Sequence, residues 1–148
     1  MRKVTCTTIL PAPAEKVWSL VQRPETLLFV SRPILTVTPV HGPFPEIWRE
    51  GDYEVSLRFL GILPIGRQHV VIVHQPGGQG LYRIRDAGHG GIATTWDHLI
   101  TIEAMGEKTR YTDEVTLDAG WLTPLVALFA RGFYAHRQRR WRTLLSRG

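Results

Sequence analysis

The chain has 148 residues, 43% hydrophobic and 21% charged, which is room for one domain with a real core (residues 1–148) and not for two substantial ones. Its single cysteine, Cys6, excludes an internal disulfide and any multi-thiolate metal site, and Met1 to Cys6 lacks the apolar run of a signal peptide, so a cytoplasmic protein is expected. A net charge of +5 permits contact with nucleic acid or an anionic membrane without requiring either, while the longest apolar stretch, Trp121 to Ala130, falls well short of the roughly 20 residues of a membrane span.

Lys3 to Leu10 alternates and is rich in Val, Thr and Ile, which predicts a strand. After Pro11-Ala12 the period changes. Pro13 suits the first helical position, and Ala14, Val17, Trp18 and Val21 recur at helical spacing until Arg23-Pro24 stops them. Glu25 to Ser31 reads as a second short helix that ends before Pro33. From Ile34 the pattern is β. Ile34 to Val40 is one run, and Asp52 to Leu60 alternates with Tyr53, Val55, Leu57 and Phe59 on one side and Glu54, Ser56 and Arg58 on the other. Gly61 to Gly66 carries the chemistry of a connection, and Arg67 to His74 follows as a strand ended by Pro76-Gly77-Gly78. Leu81 to Asp86, Ile92 to Glu103 and Lys108 to Asp118 are three more, joined by glycine-bearing links that imply antiparallel neighbours.

Trp121 to Leu145 returns to helical period, with Pro124 tolerated in the first turn. At about 100° per residue, Leu122, Val126, Phe129, Phe133 and Leu144 share a face that needs an apolar partner. The only large surface available is the antiparallel sheet, so an α+β fold is expected: one strand, two short helices, six strands and a long terminal helix gripped by the sheet.

Four stretches resemble the SRPBCC superfamily, the START and birch-pollen-allergen relatives that include polyketide cyclases/dehydrases and lipid-transport proteins. They are Pro11 to Trp18; Trp48 to Asp52 leading to Gly61 to Gly66; Trp96-Asp97-His98 with Thr112 to Val115; and Phe133 to Arg137. The later stretches are similar to its ligand-binding SRPBCC subgroup. The resemblance covers essentially the whole chain and implies a helix-grip fold of seven antiparallel strands around the terminal helix, with a cavity opening near the two short helices. It implies a small hydrophobic ligand, a lipid, polyketide or aromatic compound, and does not name which.

Strand parity selects the candidate site. If the apolar residues of Ile92 to Glu103 face the helix, then Trp96, His98 and Ile100 do so together, and Tyr111, Asp113 and Val115 share a side of the next strand. With Tyr53, Val55, Leu57, Phe59 and Tyr82 from other strands, and Val126, Phe129, Phe133 and Arg137 from the helix, they form the expected ligand-binding set. Two readings of its polar members stand side by side. His98 and Asp113 form an acid/base or ligand-anchoring pair, with Arg137 neutralising Asp113 or an acidic ligand group and Tyr53, Tyr82, Tyr111 or Tyr134 offering hydroxyls. Alternatively, Asp113 and Arg137 are an ion pair that holds the helix in register beside a core histidine.

Other constellations carry less. The six histidines show no metal spacing along the chain, His69 and His74 falling on opposite faces of one strand, so neither metal nor cofactor is expected. The glycine-rich links at 77–80 and 88–91 have no helix to follow and read as turns. The arginines at 131, 137, 139, 140, 142 and 147 suit a helix C-terminus, with an RNA or ribosome contact as the minority reading and no DNA expected. Three functions follow in order: binding or transport of a small hydrophobic molecule, a cyclase or dehydratase using His98 and Asp113, and an RNA- or ribosome-associated adaptor. The oligomeric state is not legible.

Overall fold

The computed structural model describes residues 1–147; Gly148, the last residue of the expected domain, lies outside the described residues. The elements are β1 (Arg2–Leu10), α1 (Ala14–Val21), α2 (Pro24–Ser31), β2 (Leu35–Pro39), β3 (Gly51–Phe59), β4 (Leu63–His74), β5 (Leu81–Gly88), β6 (Thr95–Met105), β7 (Lys108–Asp118) and α3 (Thr123–Ser146). One seven-stranded sheet runs in the order β1-β7-β6-β5-β4-β3-β2. Every neighbouring pair in it is antiparallel. β1 and β2 therefore sit at opposite edges, and α1 and α2 carry the chain between them. This is the helix-grip α+β fold.

The curvature has local causes. Pairing of β3 with β4 slips between Leu57 and Arg58, so Leu57 faces Gly66 while Arg58 faces Pro64. A bulge of this kind bends a strand and increases its twist. The slip also corrects the boundary expected for β4: the hairpin turn is tighter than Gly61 to Gly66, and Leu63, Pro64 and Gly66 already pair with β3. Likewise β6 begins at Thr95 and not at Ile92, because the glycines at 90 and 91 hold positive φ and the chain reaches the ladder only after them.

α3 lies across the concave face and packs on β1, β7 and α2. Two apolar clusters meet along it. Trp141 and Leu145 join Leu10, Val17, Ile102 and Tyr111 under α1, while Ala127, Ala130, Phe133 and Tyr134 join Val4, Val115 and Leu117. The alanines matter because a small side chain lets the helix axis approach the sheet closely. The buried face of α3 is thus rotated from the stripe expected. It centres on Ala127, Ala130, Tyr134, Trp141 and Leu145, with Arg137 and Gln138 inside it. Phe133 is buried at the edge of this face, and Val126 and Phe129 lie half-buried on its flank.

Candidate functional site

Because α3 touches one side of the curved sheet more closely than the other, a cavity of about 300 Å³ remains between the helix and strands β3 to β6. Its walls are mainly aliphatic and aromatic, with Val55, Leu57 and Phe59 from β3, Val70 and Ile72 from β4, and Ile84 from β5. Trp96, His98 and Ile100 come from β6, and Val126, Phe129, Phe133, Arg137 and Trp141 from α3. Of the lining residues, Arg67, Gly91 and Ile92 are exposed. The mouth is therefore at β4 and the β5–β6 loop, while Thr26, Val30 and Ser31 of α2 close the cavity as buried walls. The resemblance implied an opening near the short helices, a different rim.

The polar groups gather on one side. Arg137 is only 6% exposed, and its Nε makes no hydrogen bond. None of the ion pairs among the described residues includes it. Its guanidinium stands over the rings of Phe133 and Tyr134, 5.8 and 5.2 Å from their centroids. Burial opposes its charge, but the oxygens of Tyr111, Asp113 and Tyr134 outweigh that and hold its pKa above the ordinary value. Asp86 also lines the cavity, opposite Ile72 on one neighbouring strand and His98 on the other. Burial pushes its carboxyl up to about 7, against the Val71 N–H that donates to it at 2.8 Å and the charge of Arg137.

His98 is the third. Its Nε2–H donates to Oδ1 of Asp113 at 2.7 Å, and Nε2 of Gln138 donates to the other oxygen at 3.0 Å. Burial pulls the His98 pKa down more strongly than Asp113 raises it. That direction favours the neutral ring, whose Nδ1 is an acceptor when Nε2 carries the hydrogen. The arrangement is a cavity-lining imidazole held from behind by a carboxyl group.

The residues selected from the sequence divide accordingly. Val55, Leu57, Phe59, Trp96, His98, Ile100, Val126, Phe129, Phe133 and Arg137 line the cavity. Tyr53, Tyr82, Tyr111, Asp113 and Val115 do not. Tyr53 donates to the Arg49 carbonyl at 2.8 Å and packs edge-on against Trp48. Tyr82 stacks on Trp18 of α1, and Tyr111 packs against Trp141. Val115 belongs to the cluster with Ala127 and Ala130. Asp113 is on the inner surface as parity predicts, but β7 lies directly beneath α3, so its side chain is sealed at 1% exposure. Asp113 and Arg137 form no direct ion pair. Gln138 occupies the carboxyl instead, and also donates to the Cys6 carbonyl at 2.7 Å. Asp86 was missed, although Tyr82 and Ile84 share its strand face and gave the signal.

Residues 8–145 match the model of a family described as Domain of unknown function (DUF8410). The chain belongs to this family. No curated protein matches its sequence. Among solved structures, the protein TTHA0849 from Thermus thermophilus is similar over 99% of this chain and 100% of that chain, with 17% identity and a TM-score of 0.69. A START superfamily protein from Mycobacterium smegmatis is similar over 98% of this chain and 97% of its own, with 13% identity and a TM-score of 0.65. A truncated norcoclaurine synthase from Thalictrum flavum is similar over 97% of this chain and 92% of its own, with 11% identity and a TM-score of 0.61. At these identities the likeness shows the shared fold.

Two surface features of this DUF8410 chain differ from the sequence expectation. The terminal arginines are not one free basic face. Arg137 is inside, where the expected ligand-binding set had it, while Arg140 donates from Nε and Nη2 to the Phe29 carbonyl at 3.2 Å and lies 4.0 Å over the Phe29 ring, and Arg142 donates to Thr8. Second, histidines far apart in sequence meet across strands: Asp52, His69 and His89 bring their ligand atoms within 4.8 Å of one another. Spacing along one strand could not reveal that. Among the described residues, no helix is long and apolar enough to cross a membrane.

Proposed function

We propose that this protein binds a small hydrophobic molecule, a lipid, polyketide or aromatic compound, in the cavity between sheet and α3, with the ligand's polar end against Arg137, Asp86 and His98. The observation that carries the reading is a greasy cavity ending at a buried guanidinium that no carboxylate of the described residues pairs. Leaving such a group unpaired is costly, and a ligand oxygen offsets that cost while the apolar body covers the walls. The structural likeness to a START superfamily protein agrees with a ligand-binding fold.

A second reading is supported by one feature. His98 faces the cavity with Asp113 orienting it from behind, and Asp86, with its carboxyl at about 7, sits on the adjacent strand. Such groups suit proton transfer at a carbonyl-bearing ligand, His98 and Asp86 touching it and Asp113 acting through His98. Asp113 itself has no face on the cavity, so the acid/base pairing expected from sequence changes its members. One structural neighbour is a synthase by name.

The test is a fluorescence titration of the full chain with anilinonaphthalene sulfonate, an apolar body with one anionic group. Saturable binding to one site, weakened about tenfold or more in Arg137→Met, is expected, since a charge-assisted contact is worth roughly 1.4 kcal/mol or more. Absence of saturable binding, or equal affinity in the variant, contradicts it.

A further inference from the structure

β3, β4 and β5 present their outer faces away from α3, and three ligand-type side chains meet there. His69 on β4 and the residue after β5, His89, are direct cross-strand partners. Each N–H donates to the other's carbonyl, at 2.8 and 3.3 Å. Side chains of directly paired residues project from the same face, and these two rings stack at 4.6 Å between centroids and 10° between planes. Asp52 on β3 reaches over from the far side, its Oδ1 accepting from Nδ1 of His69 at 2.7 Å.

The approach of His89 to β4 depends on two glycines. A Cβ at Gly88 would lie 2.8 Å from the Trp96 carbonyl oxygen and 3.1 Å from that of His69. A Cβ at Gly91 would lie 2.6 Å from the Arg67 oxygen, and Gly91 also holds a φ of +58°. Any side chain at either position pushes this segment off β4 and takes His89 with it. The histidines are therefore held together by backbone and not by a chance meeting of flexible side chains.

We propose that Asp52, His69 and His89 form a site for a divalent transition metal of the zinc class, tying the β5–β6 loop to β4 at the mouth of the cavity. Two imidazoles and one carboxylate are a recurrent three-ligand set for zinc, with the remaining position open to water. The ligand atoms lie within 4.8 Å of one another, so turning the two rings out of their parallel stack gathers them around an ion that holds each at about 2.0 to 2.2 Å. The ion takes the place of the hydrogen bond that now joins Nδ1 of His69 to Asp52. The neighbouring charges permit it: Glu54 lies directly across from His69 and pairs with both His41, at 2.7 Å, and Arg67, at 3.7 Å. The Arg67 charge is thus answered by Glu54.

The place gives the site a consequence. Gly91 and Ile92, which follow His89, are exposed walls of the cavity mouth, and Arg67, two residues before His69, is the facing wall. A metal joining His69 to His89 stiffens that rim. The site itself stands without a cavity ligand; only the bearing of a stiffer rim on ligand entry rests on the function proposed above.

The experiment is calorimetric titration of the full chain with zinc chloride, with cobalt(II) as a visible-absorbing substitute, on wild type, His89→Ala, Asp52→Asn and His74→Ala. One zinc per chain is expected, with affinity lowered about tenfold or more in the first two variants and unchanged in His74→Ala, an exposed histidine outside the cluster. Cobalt should give the absorption of a low-symmetry site with nitrogen ligands. Amide exchange at residues 88 to 94 should slow on zinc addition. Equal zinc binding by wild type and His89→Ala, or none by wild type, overturns the site. If zinc binds through these residues while exchange at 88 to 94 is unchanged, the tie at the mouth is overturned. Anilinonaphthalene sulfonate binding, measured separately, reports on the cavity reading alone.

Discussion

Asp86 and His98 face one another across β5 and β6, and burial acts on them in opposite directions. For Asp86 the folded carboxyl sits at about 7 against an ordinary 3.8. Below 3.8 both folded and unfolded chains hold the proton and the residue costs nothing. As pH rises from there to about 7 the unfolded chain releases a proton that the fold retains, so stability falls, and above 7 the full cost is present. Asp86→Asn keeps the oxygen that accepts from Val71 and removes the charge. Its stability advantage over wild type in urea denaturation should grow from pH 4 to 7 and then level, reaching at most about 4 kcal/mol and less where water in the cavity reaches the carboxyl. Parallel profiles would contradict this. His98 gives the reverse slope. Its depressed pKa means stability is lost as pH falls below the ordinary 6.5, because only the unfolded chain then takes up a proton freely.

At the scale of elements, Arg140 is one of the links between α2 and α3: it joins the Phe29 carbonyl and ring to the terminal helix. Arg140→Ala should cost about 1 kcal/mol and speed amide exchange selectively in residues 24–31. Uniform exchange across the chain would contradict it. This arginine also shows what the sequence could and could not convey. Composition marked the terminal helix as basic, and a helical projection sets Arg140 near the apolar stripe, yet it does not say which neighbouring element the side chain is bent onto. The same applies to the apolar stripe. Counting large side chains placed its centre at Val126, Phe129 and Phe133, whereas Ala127 and Ala130 occupy the tightest contact because they are small. Strand parity did better, since a period of two leaves little freedom: Val55, Leu57, Trp96, His98 and Ile100 all line the cavity. It misjudged Asp113 and Tyr111 because parity gives the face and not what lies over it, and β7 is covered by α3. Pairs such as His69 with His89 depend on register between strands, which no single-strand pattern contains.

For the whole molecule, the order of elements was legible because each boundary has its own chemistry: prolines before the helices, glycines between strands, and a final helix with its one proline in the first turn. What that order creates is a sheet whose ends lie far apart and whose concave side one helix cannot fill. Two groups that a solid core does not tolerate, the Arg137 guanidinium and the Asp86 carboxyl, then border the remaining space. Native mass spectrometry of the purified full chain, wild type beside Ile72→Trp, tests this most directly, since Ile72 is a wall and an indole there occupies the cavity. Wild type should carry a small-molecule adduct, or acquire one from a panel of apolar compounds, and the folded Ile72→Trp chain should not. Bare mass for wild type throughout, or the same adduct on both chains, would contradict the account.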